Sequence, residues 1–217
     1  MGAKTWMLAG SDGDARVILK SKPPLDRAAS AALAARLFPG ERLEPLEDGT
    51  LSSTCPPDDE LVIGCFPGLS IVAAKEFGID FPSRLPAAFR AGSLGRTIHL
   101  HAMHSVVDWA AFAWWQDGEL RRSLSLSPDS GILEDVGPRL PFEQPYWAGR
   151  HPVGDPEDEE PEYPFPFHPL ELGEAALLAF FGYQLEGSGD AAQLDPEEIP
   201  LLRFRRRAAA RPWWKLW

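Results

Sequence analysis

The chain has 217 residues, of which 44% are apolar and 24% charged, and a formal net charge of −11. That length suits one large domain or two small ones with a sizeable core, and the acidity argues against a surface built mainly for nucleic acid or anionic lipid. No apolar run reaches the ~18 residues a membrane span needs, Met1–Gly10 lacks the pattern of a secretory signal, and the two cysteines, Cys55 and Cys65, make neither a disulfide framework nor a metal-ligand spacing; the expected location is the cytoplasm.

In chain order, Thr5 to Ala9 reads as a short strand that ends in the turn Gly10-Ser11-Asp12-Gly13-Asp14. Asp26 is a candidate N-cap for an Ala-rich helix from Ala28 to Phe38, stopped by Pro39-Gly40. Glu41 to Ser53 reads as an edge hairpin about Asp48-Gly49. Leu61–Cys65 and Leu69–Ala74 are strands around the chain reversal Phe66-Pro67-Gly68. A second helix is expected over Pro82–Ala91, followed by a strand over Arg96–Ala102.

Asp117-Gly118 is the clearest hairpin signal, because Gly accepts positive φ without steric cost. A two-residue loop pairs Gln116 with Glu119 and Trp115 with Leu120. Unless a bulged three-residue loop shifts the register by one and exchanges the faces, that pairing puts Trp109, Ala111, Leu124 and Leu126 together on one buried face. Trp114 then lies over Arg121 on a face nearer solvent, as a candidate cation–π pair. Ile132–Val136 is a further strand.

Nine prolines lie between Pro138 and Pro169, with an acidic cluster from Asp155 to Glu162. The aromatics Phe142, Tyr146, Trp147, Tyr163, Phe165 and Phe167 are interspersed, unlike a disordered linker. The expectation is a strap over 138–169 that pins its aromatics on the core. Leu170–Glu186 follows as a C-terminal helix with a broad apolar face. Tight turns between consecutive strands favour an α+β fold: a mostly antiparallel sheet with helices packed on it. Residues 1–187 are expected to form that single domain, and 188–217 a linker and tail.

The start MGAKTWMLAGSDGD, the turn Gly64-Cys65-Phe66-Pro67-Gly68, the run HAMHSVVDW, and SLSLSPDSGILEDVGPRLPF followed by PYWAG resemble an uncharacterised actinobacterial protein family. The resemblance covers roughly residues 1–187. It implies an actinobacterial cytoplasmic origin and no particular activity.

Three places invite chemistry. His99, His101 and His104 have H-x-H-x-x-H spacing, with Asp108 close behind. On a strand His99 and His101 share a side, and a turn could return His104 to them, as in a three-imidazole zinc site. The run is similar to the H-x-H-x-D-H of the metallo-β-lactamase fold, but Met103 stands where that family needs Asp. Asp12-Gly13-Asp14 is similar to the phosphotransfer loop of haloacid dehalogenases, yet Ala15-Arg16 follow where that family has Gly-Thr; turn chemistry explains the aspartates. The third place is the tail. Arg203 to Trp217 holds six basic residues and no acidic one. A helix from Pro200 to Ala210 is expected there. Arg203, Arg205, Arg206 and Arg207 with Trp213, Trp214 and Trp217 form a candidate binding tail for an acidic protein surface or for self-docking. Nucleic acid and anionic membrane are disfavoured by the acidity of the rest. The preferred reading is a non-enzymatic binding or interaction protein without cofactor; the alternative is a zinc-dependent hydrolase on the His cluster.

Overall fold

The computed structural model describes residues 2–91, 95–153, 164–186 and 193–208. Among these, ten strands form one antiparallel sheet. They are β1 (Lys4–Ser11), β2 (Glu41–Pro45), β3 (Gly49–Thr50), β4 (Glu60–Phe66), β5 (Leu69–Ala73), β6 (Thr97–His104), β7 (Trp109–Gln116), β8 (Glu119–Ser127), β9 (Gly131–Val136) and β10 (Pro200–Ala208). Their order across the sheet is β2-β10-β4-β5-β1-β6-β7-β8-β9, and β3 also pairs with β10. The helices are α1 (Ala15–Lys20), α2 (Arg27–Leu37), α3 (Ala87–Arg90), α4 (Gln144–Trp147) and α5 (Pro169–Phe181). No helix is long and apolar enough to cross a membrane among the described residues.

Both faces of the sheet are covered, so its central strands read as almost continuous apolar runs. On one face Met7, Val62, Ile71, Met103, Phe112 and Leu124 pack beneath α5. On the other, Leu8, Ile63, Val72, Leu100 and Trp115 pack with Leu33, Ala34 and Leu37 of α2. α2 begins where its cap demands: Asp26 accepts a hydrogen bond from the Ala29 amide at 2.8 Å. α5 ends at Gly182, whose φ of 83° gives the left-handed turn that stops a helix. Gly173 lets α5 approach closely, since a Cβ there would lie 3.0 Å from the Met103 sulfur.

Four expectations are corrected. The helix over Pro82–Ala91 is broken into a 3₁₀ turn at Pro82–Arg84 and the short α3, because Pro86 holds Leu85 extended at ψ 124°. The Glu41–Ser53 hairpin does not form: β2 and β3 both pair with β10 instead. The Pro200–Ala210 helix is replaced by β10, so the segment expected as linker and tail supplies a strand to the sheet interior.

The fourth concerns the β7–β8 hairpin. Gln116↔Glu119 and Trp115↔Leu120 pair as expected, but a bulge at Arg121 then puts Trp114 opposite Arg122 and Phe112 opposite Leu124. Trp109 and Ala111 therefore lie on the α2 face, while Leu124 and Leu126 lie on the α5 face. All four are buried, and neither face is left to solvent. Trp114 accordingly faces Arg122 rather than Arg121. Arg122 is fully buried, held by Glu143 at 2.9 and 2.7 Å and by Asp135. A buried guanidinium needs such pairing to offset its desolvation.

Of the aromatics in the Pro-rich stretch, Phe165 and Phe167 are buried on the α5 face, and Phe142, Tyr146 and Trp147 pack against it. Tyr163 and the acidic cluster lie outside the described residues.

Candidate functional site

His99 projects from β6 to the α5 face, because alternate residues of a strand point the same way. Its register partner on β7 is Trp114. The two rings run nearly parallel with centroids 6.4 Å apart, and Phe180 of α5 lies 4.3 Å from the imidazole on a 30° tilt. Phe181 meets it edge-on at 5.8 Å. His99, Trp114 and Phe180, with Phe142 and Ala179, line a cavity of about 450 Å³. Asp14 and Arg16 stand among its lining residues. Asp14 caps α1 by accepting from the Arg16 amide, and it also takes both a 3.0 Å and a 2.6 Å bond from the Arg16 guanidinium. That guanidinium holds the Asp14 carboxyl below its ordinary pKa.

Burial pushes the pKa of His99 down from 6.5 to about 4, against a small opposing pull from Asp14. The imidazole is thus uncharged at neutral pH, with one N–H donor and one acceptor nitrogen. Among the described residues no hydrogen bond ties either nitrogen, and the ring packs against its aromatic neighbours.

The other histidines of the run do different work. His101 is fully buried one pleat along from His99. Its Nε2 donates to the Gly173 carbonyl at 2.9 Å, which leaves Nδ1 to accept from the Thr5 hydroxyl at 2.6 Å. Both nitrogens are used in joining β1, β6 and α5, and burial lowers its pKa to about 4. His104 lies on the opposite face of the sheet, stacked on Trp6 at 5.6 Å. Strand β6 extends as far as His104 and turns only after it, so no turn brings His104 back to its neighbours. Asp108 sits in the β6–β7 turn with a φ of 45°, 3.6 Å from His168, which caps α5. The three imidazoles do not converge, and no group of three or more His, Cys, Asp or Glu side chains is arranged to hold a metal among the described residues.

Asp12 accepts from the Arg96 amide at 3.2 Å, so both aspartates of the Asp-Gly-Asp turn serve local structure. Arg203, Arg205, Arg206 and Arg207 of the expected tail lie on β10. Arg203 and Arg205 reach Glu60 at 2.8 and 3.3 Å, Arg206 bridges Glu41 and Glu76 at 2.7 and 2.6 Å, and Arg207 lies 3.5 Å from Glu44. Trp213, Trp214 and Trp217 lie outside the described residues.

Sequence reasoning singled out His99, Trp114 and, among the strap aromatics, Phe142, but missed Arg16 and Phe180 as their companions. One signal was present: Asp14 ahead of Ala15-Arg16-Val17 is an N-cap pattern, and it sets Arg16 at the cavity.

Fold and site together define an antiparallel sheet protein that keeps an aromatic cavity under its longest helix. Residues 5–204 match the model of a family of unknown function (DUF6928), and the chain belongs to that family. The match runs through most of β10, beyond the region whose motifs carried the resemblance. No curated protein matches the chain, and no solved structure does.

Proposed function

We propose that the protein works by binding, and that its ligand is a small, flat, largely apolar molecule seated in the cavity between β6, β7 and α5. One observation carries the reading: an uncharged imidazole without a hydrogen-bond partner among the described residues lies between Trp114 and Phe180 in a cavity of about 450 Å³. Small-molecule sites combine apolar walls with a few placed polar groups, and this volume is within their usual range. Ring stacking would supply the affinity, and His99 would choose a ligand with one matching donor or acceptor.

In this reading the arginines of β10 belong to the fold. Their counter-charges come from Glu41, Glu44, Glu60 and Glu76 of the same chain, which supports self-docking over an acidic partner. A cytoplasmic location in an actinobacterium goes with the proposal; Cys55 and Cys65, both free, support a reducing compartment.

Indole, quinoline and naphthalene are suitable probes, followed by saturation-transfer NMR and by tryptophan fluorescence. Quinoline and indole should bind, and naphthalene, which offers His99 no partner, should bind less tightly. Ala179→Trp, which fills the cavity from a partly exposed position, should abolish binding. Bicyclic aromatics that do not bind, or that bind the Ala179→Trp variant as well as the wild type, would overturn the proposal.

A further inference from the structure

The opposite face of the sheet carries a second recess that the proposed site does not involve. Trp6 of β1, His104 of β6 and Trp109 of β7 come side by side there because β6 lies between β1 and β7 in antiparallel register. Trp6 stacks on His104 at 5.6 Å with a 24° tilt and meets Trp109 at 6.0 Å and 43°. These rings line a recess of about 430 Å³ with Asp80 and Asp129. The platform is fixed. The Trp109 indole N–H donates to Ser125 at 3.0 Å, and the Gly78 backbone lies against Trp6 so closely that a Cβ would come within 2.6 Å of its ring.

The formal charge in the recess lining has one sign, although the charge of Lys4 reaches His104 from outside it. Asp80 and Asp129 are exposed, and neither has an ion-pair partner among the described residues. The described lining contains no Lys or Arg. Lys4 is the register partner of His104 on β1 but does not line the recess. Aromatic faces attract cations through their negative quadrupole, and a weakly hydrated cation loses least on leaving water. A carboxylate pair beside such faces selects against anions and neutral molecules alike.

We infer that this recess binds a small quaternary ammonium compound, with its methylated nitrogen over Trp6 and Trp109 and its charge offset by Asp80 and Asp129. The ligand is a free cation; a phosphocholine headgroup would bring a phosphate against the same two carboxylates.

The test uses the full chain and tryptophan fluorescence or calorimetry. Choline and tetramethylammonium are the probes, and 3,3-dimethylbutan-1-ol is the uncharged shape analogue of choline. Choline should bind roughly tenfold tighter than the alcohol, the margin a partly desolvated cation–π contact provides. The double variant Asp80→Asn, Asp129→Asn alters only exposed side chains. It should melt with the wild type and lose roughly tenfold in choline affinity while its affinity for the alcohol stays the same. Phosphatidylcholine vesicles should not co-sediment with the protein. Choline that fails to bind, equal binding of choline and alcohol, an unaltered double variant, or binding to vesicles alone would each overturn the inference. None of these results depends on aromatics entering the cavity beside His99, so the two proposals fail separately.

Discussion

At the scale of single residues, the buried titratable groups set how the protein responds to acid. His99 and His101 are held at about 4 in the folded chain against an ordinary 6.5. Their contribution to stability is present above 6.5 and is lost as the pH falls toward 4, because the unfolded chain takes up protons that the folded chain refuses. Glu174 works the other way. It is buried on α5, accepts from the Leu185 and Glu186 amides at 2.8 and 3.1 Å, and is pushed up from 4.5 to about 7 by desolvation. Its contribution is present below 4.5 and is lost as the pH rises through 7. Two histidines oppose one carboxyl between 4.5 and 6.5, so the melting temperature should fall as the pH is lowered across that window. Glu174→Gln should steepen the fall and His99→Phe should flatten it. Identical slopes in the three proteins, followed by scanning fluorimetry in a pH series, would refute the assignment.

The same scale explains what could not be read from the sequence about the His run. Period two settles that His99 and His101 share a face and that His104 does not, once the strand is known to continue. Nothing in His-Ala-Met-His says whether it continues or turns. The continuation is enforced by pairing of β6 with both β1 and β7, as far as Lys4↔His104 and His104↔Trp109.

At the scale of elements, the bulge in β8 is coupled to a glycine beyond β9. Gly137 has a φ of 82°, and a Cβ on it would lie 2.1 Å from the carbonyl oxygen of Arg121, the residue the bulge extrudes. Gly137→Ala should therefore cost more than the ~1 kcal/mol of an ordinary positive-φ substitution. Gly118→Ala, also at φ 83° but in open space, is the internal standard. Urea denaturation that ranks the two variants equally would show that bulge and glycine are independent. The bulge is also why the hairpin was only half legible. Asp117-Gly118 fixed the first two pairs, but Leu120-Arg121-Arg122-Ser123-Leu124 alternates acceptably in either register. What decides is the burial of Arg122, and its partners Asp135 and Glu143 come from later segments. The Asp26-capped helix and the Pro67-Gly68 reversal were legible because every determinant lies within a few residues.

At the scale of the whole molecule, β10 decides the architecture. Its Arg-rich sequence reads as a solvated tail because charge is usually external. Here the charges are matched by glutamates from β2, β4 and the turn at 75–77, and Arg206 also lies 4.5 Å over the Phe38 ring. Such remote pairing leaves no local trace in sequence. A chain truncated after Leu202 would lose the pairs Arg203↔Val62 through Ala208↔Glu41 that tie β2 to β4. It should melt at a lower temperature and self-associate through the bared edge of β4. A truncated protein indistinguishable from full length in melting and light scattering would return β10 to the status of a passive end.

That placement also has a consequence for biosynthesis. β4 leaves the ribosome long before the strand that will flank it; at cellular translation rates the interval is on the order of ten seconds. Throughout it the nascent chain can close β1 on β5 and β6, but one side of β4 waits with its amides and carbonyls unclaimed. The protein therefore matures from its middle outward, and the sheet is sealed only once β10 has emerged.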